Sequence, residues 1–189
     1  MKEKKRQNKE TRNSEIKIRG ALSKKGITIS GKQNSENLSS RGYGTMENKK
    51  LILDFHEALY LHSKDMLKVG KGTARKALSF QELLQQFKTI DENAWIKYLI
   101  YRDLRSRGYV VRNGFGLGID FRVYERGEYG KATAPYLIFG IQEGQPVQVK
   151  ELAQVLRHVQ SLKKKLVLAV VNRRGEIVYY TLSKLTMKK

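Results

Sequence analysis

The sequence predicts an α/β (α+β) fold, in which a small N-terminal mixed α/β domain precedes a C-terminal domain with a mixed β-sheet flanked by helices. Three observations predict it. Short apolar runs separated by Gly, Ser and Asn come first, at Ile16 with Ile18 and at Ile27 with Ile29. Apolar residues at helical spacing follow, and the last part of the chain combines strand-like runs with one amphipathic helix. A chain of 189 residues is long enough to bury the core of such a fold.

Composition divides the chain into a tail and two domains. Residues 1–14 are rich in Lys, Asn and Glu with almost nothing apolar, so we predict a disordered basic tail. Residues 15–90 form the predicted N-terminal α/β domain, and residues 91–189 form the predicted C-terminal domain. The sequence contains no internal repeat.

Helical periodicity begins within the predicted N-terminal domain. Leu51, Phe55 and Ala58 recur at helical spacing and predict a helix that begins at Leu51. Ser79 and Glu82 predict a capping box at the start of a second helix, because each side chain satisfies a free backbone amide at the helix terminus.

The predicted C-terminal domain begins with a helix and continues mainly as strands. The helix starts near Asp91, carries an apolar stripe and ends at Gly108. In the strand Ile119–Tyr124 apolar and polar residues alternate, which places Tyr124 on the polar face. The continuous apolar run Leu166–Val171 is typical of a strand covered on both faces. The remaining predicted elements are the strands Tyr109–Arg112, Tyr136–Ile141 and Glu176–Ser183 and the helix Val149–Ser161.

The charge balance predicts a polyanionic partner. The 38 Lys and Arg residues against 18 Asp and Glu residues give a formal charge of +20. A field of this size favours nucleic acid through the release of counterions, and it says little about the fold. We prefer nucleic acid to a membrane, because no apolar run reaches the roughly 18 to 20 residues of a spanning helix. The N-terminal MKEKKRQNKETR lacks the apolar core of a signal peptide, so we predict a cytoplasmic protein.

Several kinds of catalytic site find little support in the sequence. The absence of cysteine excludes a disulfide framework, a thiolate nucleophile and a cysteine zinc site. His56 and His62 lie six residues apart on a predicted helix and face different sides, so we predict no metal site and no cofactor. A metal-dependent nuclease centred on Asp120 is an alternative with little support, because the neighbouring strand YLIFGI offers no carboxylate and Glu143 follows it in a loop.

Tyr124 and Lys164 fit part of a different chemistry, the cleavage of RNA without a metal. That reaction removes a proton from the 2′-hydroxyl, gives a proton to the leaving 5′-oxygen and stabilises the charged phosphorane with a cation. Tyr can help the first step, His usually performs the second, and Lys can supply the cation. Tyrosines on strands and lysines in runs such as LKKK are common, so the two residue types alone favour structural roles.

Six sequence phrases between His56 and Tyr180 carry a family resemblance. They are HEALYLHSKDMLKV, SFQELL, KYLIYRDLRSRGYVVRNGFGLGIDFRVYERG, APYLIFGI, VLRHVQSLKKKLVLAVV and GEIVYY. Through them the chain resembles the archaeal tRNA-splicing endonuclease (tRNA-intron lyase) family over most of both domains. The resemblance implies a small N-terminal α/β domain and a nuclease domain with a mixed sheet. It also implies metal-independent excision of introns at bulge–helix–bulge structures, which leaves 2′,3′-cyclic phosphate and 5′-hydroxyl ends.

The resemblance assigns a Tyr–His–Lys catalytic trio, which is incomplete in this chain. The tyrosine that ends DFRVY corresponds to Tyr124, and the lysine before LVLAVV corresponds to Lys164, or to Lys163 or Lys165 if the register slips. The family histidine, in a phrase resembling H-A-P-Y-L, corresponds to Thr133. A threonine hydroxyl is too weak an acid for this step, and losing a general acid typically costs on the order of 10²- to 10⁴-fold in rate.

The degenerate trio implies the non-catalytic, structural subunit of a heterotetramer. Its expected partners are a catalytic endonuclease subunit and precursor tRNA, and the chain itself is expected to be inactive. In the family a loop after the YLIFGI-like strand docks on an opposing subunit, and here Glu143 is its only carboxylate. Val178 and Tyr180, on one face of the last strand, are the expected pairing surface with the catalytic chain.

Arg157 and Tyr179 correspond to family positions that stack on a bulged base. A solvated Arg157 and a packing Tyr179 are equally good interpretations. Two further functions stay open: a self-sufficient tRNA-intron endonuclease with another residue or water as the acid, and an RNA-binding module with a degenerate nuclease fold.

Overall fold

The computed structural model describes residues 18–70 and 77–184, so the predicted disordered tail over residues 1–14 lies outside the described residues. Within them the chain forms two five-stranded mixed sheets and five helices. This architecture confirms the predicted α/β (α+β) class, with one sheet in each half of the chain. No helix among the described residues is long and apolar enough to cross a membrane.

The N-terminal sheet has the strand order β3–β4–β2–β1–β5. Its strands are antiparallel except for β1 and β5, which pair in parallel. The elements of this half are β1 (Ile18–Ser23), β2 (Gly26–Ile29), α1 (Lys32–Ser40), β3 (Thr45–Glu47), β4 (Lys50–Leu53), α2 (Phe55–Ser63) and β5 (Leu67–Gly70). Helix α3 (Phe80–Lys88) follows, and the capping box predicted from Ser79 and Glu82 is present at its start.

The helix predicted to begin at Leu51 is wrong at its start. Leu51 and Leu53 belong to strand β4, where both side chains are buried against β2. Helix α2 begins only at Phe55, after Asp54, whose backbone N–H donates to the Glu57 carboxylate at 2.9 Å. In so short a segment the same apolar positions fit both the two-residue period of a strand and the 3.6-residue period of a helix. The alternating burial along β4 is that of a strand.

The C-terminal sheet has the strand order β10–β9–β8–β7–β6. Strands β8 and β9 are parallel and are joined through a helix, whereas every other neighbouring pair is antiparallel. The elements are α4 (Ala94–Ser106), β6 (Val110–Gly116), β7 (Ile119–Tyr124), β8 (Tyr136–Gln142), α5 (Val149–Ser161), β9 (Lys165–Val171) and β10 (Ile177–Leu182).

Helices α4 and α5 cover opposite faces of the C-terminal sheet. The α4 face carries Phe121, Ile138 and Val167, which join a core cluster that continues into the N-terminal half. The α5 face carries Leu137 and Leu166, which join a smaller cluster with the buried side of α5. Since successive strand residues point to opposite faces, neighbouring positions on one strand serve different surfaces.

A buried ion pair connects the two halves of the molecule. The Glu57 carboxylate, 1% exposed, accepts a hydrogen bond at 3.1 Å from the Arg112 guanidinium on β6. The same carboxylate accepts the backbone N–H of Gly44, and Arg112 also donates to the Gly42 carbonyl and the Thr45 hydroxyl. The contact therefore fixes the N-terminal sheet against the first strand of the C-terminal sheet.

Candidate active site at one end of the C-terminal sheet

The sheet topology brings the three predicted catalytic positions to one end of the C-terminal sheet. Tyr124 is the last residue of β7, Thr133 precedes β8 by three residues, and Lys164 immediately precedes β9. Strand β7 runs antiparallel to β8, and β9 runs parallel to it, so the end of β7 meets the starts of β8 and β9. The prediction that Tyr124 lies on the polar face of its strand is confirmed, because burial alternates along β7 and Tyr124 is among its half-buried residues.

Thr133 and Lys164 are in direct contact at this end. The Lys164 ammonium donates a hydrogen bond to the Thr133 hydroxyl. Thr133 is exposed and Lys164 is half-buried, so the pair faces solvent from one side. The Lys164 ammonium can bind a phosphate from this position. The Thr133 hydroxyl is too weak an acid to donate a proton to a leaving oxygen near neutral pH.

The backbone around Lys164 explains why this lysine, among three in a row, meets Thr133. Lys163 has a φ of 55°, in the left-handed region, and turns the chain out of α5. The Lys164 N–H bonds to the Val159 carbonyl at 3.1 Å, and the Lys165 N–H bonds to the Pro135 carbonyl at 3.0 Å. The Lys165 ammonium instead lies 5.7 Å from the centre of the Tyr136 ring.

Tyr124 contacts the loop that carries Thr133. Its ring meets Tyr129 edge-to-face, with 5.1 Å between ring centres and an interplanar angle of 89°. Tyr129 in turn pairs with Ala132, the residue before Thr133. Sequence reasoning missed Tyr129, because a lone tyrosine in a polar loop carries no periodic signal.

The three histidines lie away from this end. The His56 ring contacts the rings of Tyr101 and Phe121, and burial lowers its pKa to about 3. A His62 ring nitrogen lies 3.1 Å from the Leu78 carbonyl oxygen. His158, on α5, contacts the Phe115 ring. The described contacts therefore bring no imidazole to Thr133.

Asp54, His56 and Glu57 are the one group among residues 18–70 and 77–184 whose side-chain atoms are close enough to share a metal ion. Their candidate ligand atoms lie within 4.8 Å of one another. The Glu57 carboxylate, however, already accepts bonds from Arg112 and from two backbone N–H groups. A cation would meet the Arg112 charge, so these residues fit the ion pair between the two halves better than a metal.

Arg157 and Tyr179 lie on opposite faces of the sheet. Arg157 is exposed on α5. Tyr179 packs on the α4 face, where its hydroxyl donates to Asp103 at 2.8 Å. Burial and the Asp103 carboxylate raise the pKa of Tyr179, and the Arg107 guanidinium lies 5.6 Å from its ring centre. The two side chains therefore cannot sandwich one base within a single chain.

Strand β10 and the loop after β8 supply the predicted interface positions. Strand β10 is an edge strand, and its outward residues Val178 and Tyr180 are 51% and 54% exposed. Glu143 is exposed and its N–H bonds to the Val171 carbonyl at 2.8 Å. Glu92 lines the same surface depression as Glu143, which adds a second carboxylate that the sequence of the loop does not contain.

Comparison with known proteins places this arrangement in one family. Residues 18–84 match the model of the tRNA intron endonuclease N-terminal domain, and residues 94–179 match that of the tRNA intron endonuclease catalytic C-terminal domain. A tRNA-splicing endonuclease of Methanococcus vannielii is 37% identical over 170 residues, which cover 90% of this chain and 96% of the relative. One from Pyrococcus furiosus is 36% identical over 141 residues, covering 75% of this chain and 80% of the relative. The chain therefore belongs to the tRNA intron endonuclease family, whose archaeal relatives bear the name tRNA-splicing endonuclease.

Proposed function

We propose that this chain is the non-catalytic structural subunit of a tRNA-splicing endonuclease. In this role it assembles with a catalytic subunit into a heterotetramer and positions precursor tRNA for intron excision in the cytoplasm. One observation supports the proposal above all. The family resemblance expects the proton-donating histidine at position 133, where this chain has Thr133. The Thr133 hydroxyl accepts a hydrogen bond from Lys164, the lysine of the expected trio.

The missing histidine determines which step of RNA cleavage the chain cannot perform. Tyr124 and Lys164 supply a hydroxyl beside the 2′-oxygen and a cation for the phosphorane, at the same end of the sheet. The leaving 5′-oxygen still needs a proton, and a threonine hydroxyl does not release one near neutral pH. The metal-independent cut that yields 2′,3′-cyclic phosphate and 5′-hydroxyl ends is then made by the partner, at a bulge–helix–bulge structure.

The free edge of β10 suits side-by-side assembly with the catalytic chain. Val178 and Tyr180 form an exposed surface on β10, which has a neighbouring strand on one side only among the described residues, and edge strands of this kind favour cover by a partner. Glu143, together with Glu92, offers a second, acidic contact for a basic surface of an opposing subunit.

RNA contact is proposed through Arg157 and Tyr179. The exposed guanidinium of Arg157 is suited to stacking and to phosphate contact. The Tyr179 hydroxyl is bonded to Asp103, and its half-buried ring lies on the α4 side of the sheet. The formal charge of +20 supplies the non-specific attraction to the RNA.

A self-sufficient endonuclease is the second candidate. The observation that favours it is the retention of Tyr124 and Lys164 at one end of the sheet, together with the names of the relatives. Another residue or water would then serve as the acid.

An experiment that mixes this chain with a second endonuclease chain distinguishes these functions. The chain is incubated with bulge–helix–bulge RNA in EDTA, alone and with a tRNA-splicing endonuclease chain from the same genome that carries the histidine. We expect co-elution of the two chains and cleavage only in the mixture. Full cleavage by the chain alone overturns the proposal. Equal affinity for bulged RNA and plain duplex, with no binding to the second chain, indicates a general RNA-binding module instead.

A further inference from the structure

An open groove lies in the N-terminal half of the molecule, between the start of helix α1 and the hairpin of strands β3 and β4. Its walls come from the end of β2, the first turn of α1 and the hairpin turn. The volume of about 650 Å³ can hold a phosphate group with its flanking sugars. We name it the α1 groove; its walls include Gly31, Lys32, Ser35, Lys49 and Lys50.

Helix α1 begins without a side chain that caps its first amides. Its N-cap residue is Gly31, which has no side chain to accept a hydrogen bond and has a φ of 95°, in the left-handed region. The backbone N–H of Ser35 is the first to bond back along the helix, at 3.1 Å from the Gly31 carbonyl oxygen. The N–H groups of residues 32–34 therefore have no partner inside the helix, and such a helix start attracts anions.

A buried hydroxyl without a partner points towards the same helix start. Ser35 is only 4% exposed, and its hydroxyl forms no hydrogen bond within the part of the chain that the structure describes. Helix side chains tilt towards the N-terminus, so the Ser35 hydroxyl, one turn after Gly31, is directed towards the free amides. Burial of an unpaired hydroxyl costs stability, and a ligand oxygen that accepts its proton removes that cost.

Lysines on the facing hairpin give the α1 groove a positive charge. Neither Lys49 nor Lys50 has a carboxylate within ion-pair distance in the described part of the chain. Glu36 brings a carboxylate to the wall, but it lies 3.9 Å from the Lys32 ammonium, so these two charges largely cancel. The two hairpin lysines and the helix start then select an anionic ligand.

The lining of the α1 groove fits a phosphate within a polynucleotide better than a free ion. A helix start, a hydroxyl and ammonium groups are donors that proteins use for backbone phosphates. Ile29 and Met46 line the apolar part of the groove, where a ribose can pack its carbon atoms and a hydrated ion finds no partner. Met46 is 50% exposed on the edge strand β3, so the groove is open to a chain that passes through it.

We propose that the α1 groove binds one backbone phosphate of precursor tRNA, between the first amides of α1, the Ser35 hydroxyl and the ammonium groups of Lys49 and Lys50. The proposal rests on the proposed function, because it takes precursor tRNA as the ligand. A phosphate contact carries no sequence information, so its role is to hold the RNA in position. All of these groups belong to the N-terminal half, which adds an RNA contact remote in sequence from the candidate active site.

The test measures binding of the full-length chain to precursor tRNA that carries 2′-deoxy residues at both cleavage positions, so that cleavage does not interfere. Ser35→Ala removes one donor and no charge, so binding should weaken about ten-fold. Urea unfolding of this variant should show no loss of stability, because the removed hydroxyl is buried and unpaired. Ser40→Ala is the matched control, since the Ser40 hydroxyl, at the other end of α1, donates to the Asn37 carbonyl at 2.9 Å. It should bind as the wild type does.

A second pair of variants separates the α1 groove from the general field of the chain. Lys50→Gln should weaken binding and reduce the slope of log affinity against log salt concentration by about one, because one phosphate contact is lost. Lys68→Gln is the control, because Lys68 is exposed on β5, at the edge of the same sheet opposite to β3. It removes the same charge and should leave the slope unchanged.

Ethylation of single phosphates identifies the bound group. At one position, ethylation should weaken wild-type binding about ten-fold and abolish any further loss by Ser35→Ala. Inorganic phosphate tests the other source of the same chemistry, with the amide signals of residues 32–34 followed by NMR spectroscopy. At constant ionic strength these signals should shift with micromolar precursor tRNA and not with micromolar inorganic phosphate.

Four results overturn the proposal. Wild-type affinity in Ser35→Ala excludes the hydroxyl, and equal salt slopes for Lys50→Gln and Lys68→Gln leave only the general field. A Ser35→Ala loss that persists on every ethylated RNA, or amide shifts that inorganic phosphate alone saturates, excludes the RNA backbone as the ligand. Loss of assembly with the catalytic chain, with RNA affinity unchanged, shows that the groove receives a partner carboxylate. Cleavage of unmodified RNA by the isolated chain would overturn the proposed function without changing these binding outcomes.

Discussion

The Lys164 ammonium and the Thr133 hydroxyl form a hydrogen bond across the starts of β8 and β9. The bond holds Lys164 where a phosphate can meet its charge, and Tyr124 lies at the adjacent end of β7. The arrangement thus keeps a cation and a phenol but contains no imidazole. A surface of this kind offers a charge for a phosphate but no group that readily protonates a leaving oxygen near neutral pH.

Restoring the acid tests the role of position 133. In the isolated chain, Thr133→His should raise the rate of bulge–helix–bulge cleavage in EDTA by roughly 10²- to 10⁴-fold, because the imidazole supplies the missing proton. Thr133→Val keeps a similar shape without an acid and should give no gain. Single-turnover cleavage of end-labelled RNA measures both. A wild-type chain that already cleaves, and that Thr133→His does not improve, points to another acid.

Loss of the Arg112–Glu57 ion pair should account for most of the unfolding free energy that is lost when Arg112 is mutated. Arg112→Ala leaves the Glu57 carboxylate buried without its cation, which typically costs about 3 to 5 kcal/mol of unfolding free energy. Arg122→Ala is the matched control, since Arg122 is the register partner of Arg112 and donates to the Asn113 carbonyl at 2.8 Å rather than to a buried carboxylate. Urea unfolding at about pH 8, above the Glu57 pKa of about 7, compares them. Similar losses for the two variants would contradict a special role for the buried pair.

His56 should make the protein sensitive to acid. Burial holds the pKa of His56 at about 3 in the folded protein, against 6.5 in the unfolded chain. The folded state therefore binds no proton at His56 in this interval while the unfolded state does, so stability falls as the pH drops from 6.5 towards 3. The expected loss is about 1.4 kcal/mol per pH unit.

The variant His56→Leu isolates that contribution. Burial raises the pKa of Glu57 to about 7, so Glu57 makes the unfolding free energy increase as the pH falls from about 7 to about 4.5. Glu57 is present in both proteins, so this contribution cancels in their difference. The difference in unfolding free energy between variant and wild type should grow in favour of the variant as the pH falls below 6.5. Urea titrations at pH 7, 6 and 5 measure it. A difference that is independent of pH would show that His56 titrates normally.

The exposed face of β10 should control assembly. Val178→Asp places a charge on the surface proposed to meet the catalytic chain, so the mixed complex should weaken by at least ten-fold, about 1.4 kcal/mol. Val149→Asp is the matched control, because Val149 is 82% exposed on α5. Sedimentation of the two-chain mixture reports the difference. Equal weakening by both changes would place the interface elsewhere.

Much of the C-terminal half could be predicted from the sequence. The helix Val149–Ser161 has the predicted bounds, and the strands at Ile119–Tyr124 and Leu166–Val171 lie where alternation and apolar runs place them. These segments carry many apolar residues in one period, so few other arrangements bury them.

Other features carried no usable signal. Helix α1 (Lys32–Ser40) was not predicted, because Leu38 is its only large apolar residue and no stripe is visible. The contact between Thr133 and Lys164 needs the parallel pairing of β8 and β9, which a local pattern does not specify. The Tyr179–Asp103 bond joins residues 76 positions apart, so spacing could not reveal that Tyr179 faces α4.

The most direct test of the central claim is the single-turnover cleavage rate of the isolated, full-length chain on bulge–helix–bulge RNA in EDTA. Tyr124→Phe and Lys164→Ala are measured beside the wild type. We predict that all three rates equal that of RNA alone. Wild-type cleavage that Tyr124→Phe or Lys164→Ala abolishes would show an active site in this chain and would contradict its assignment as a structural subunit.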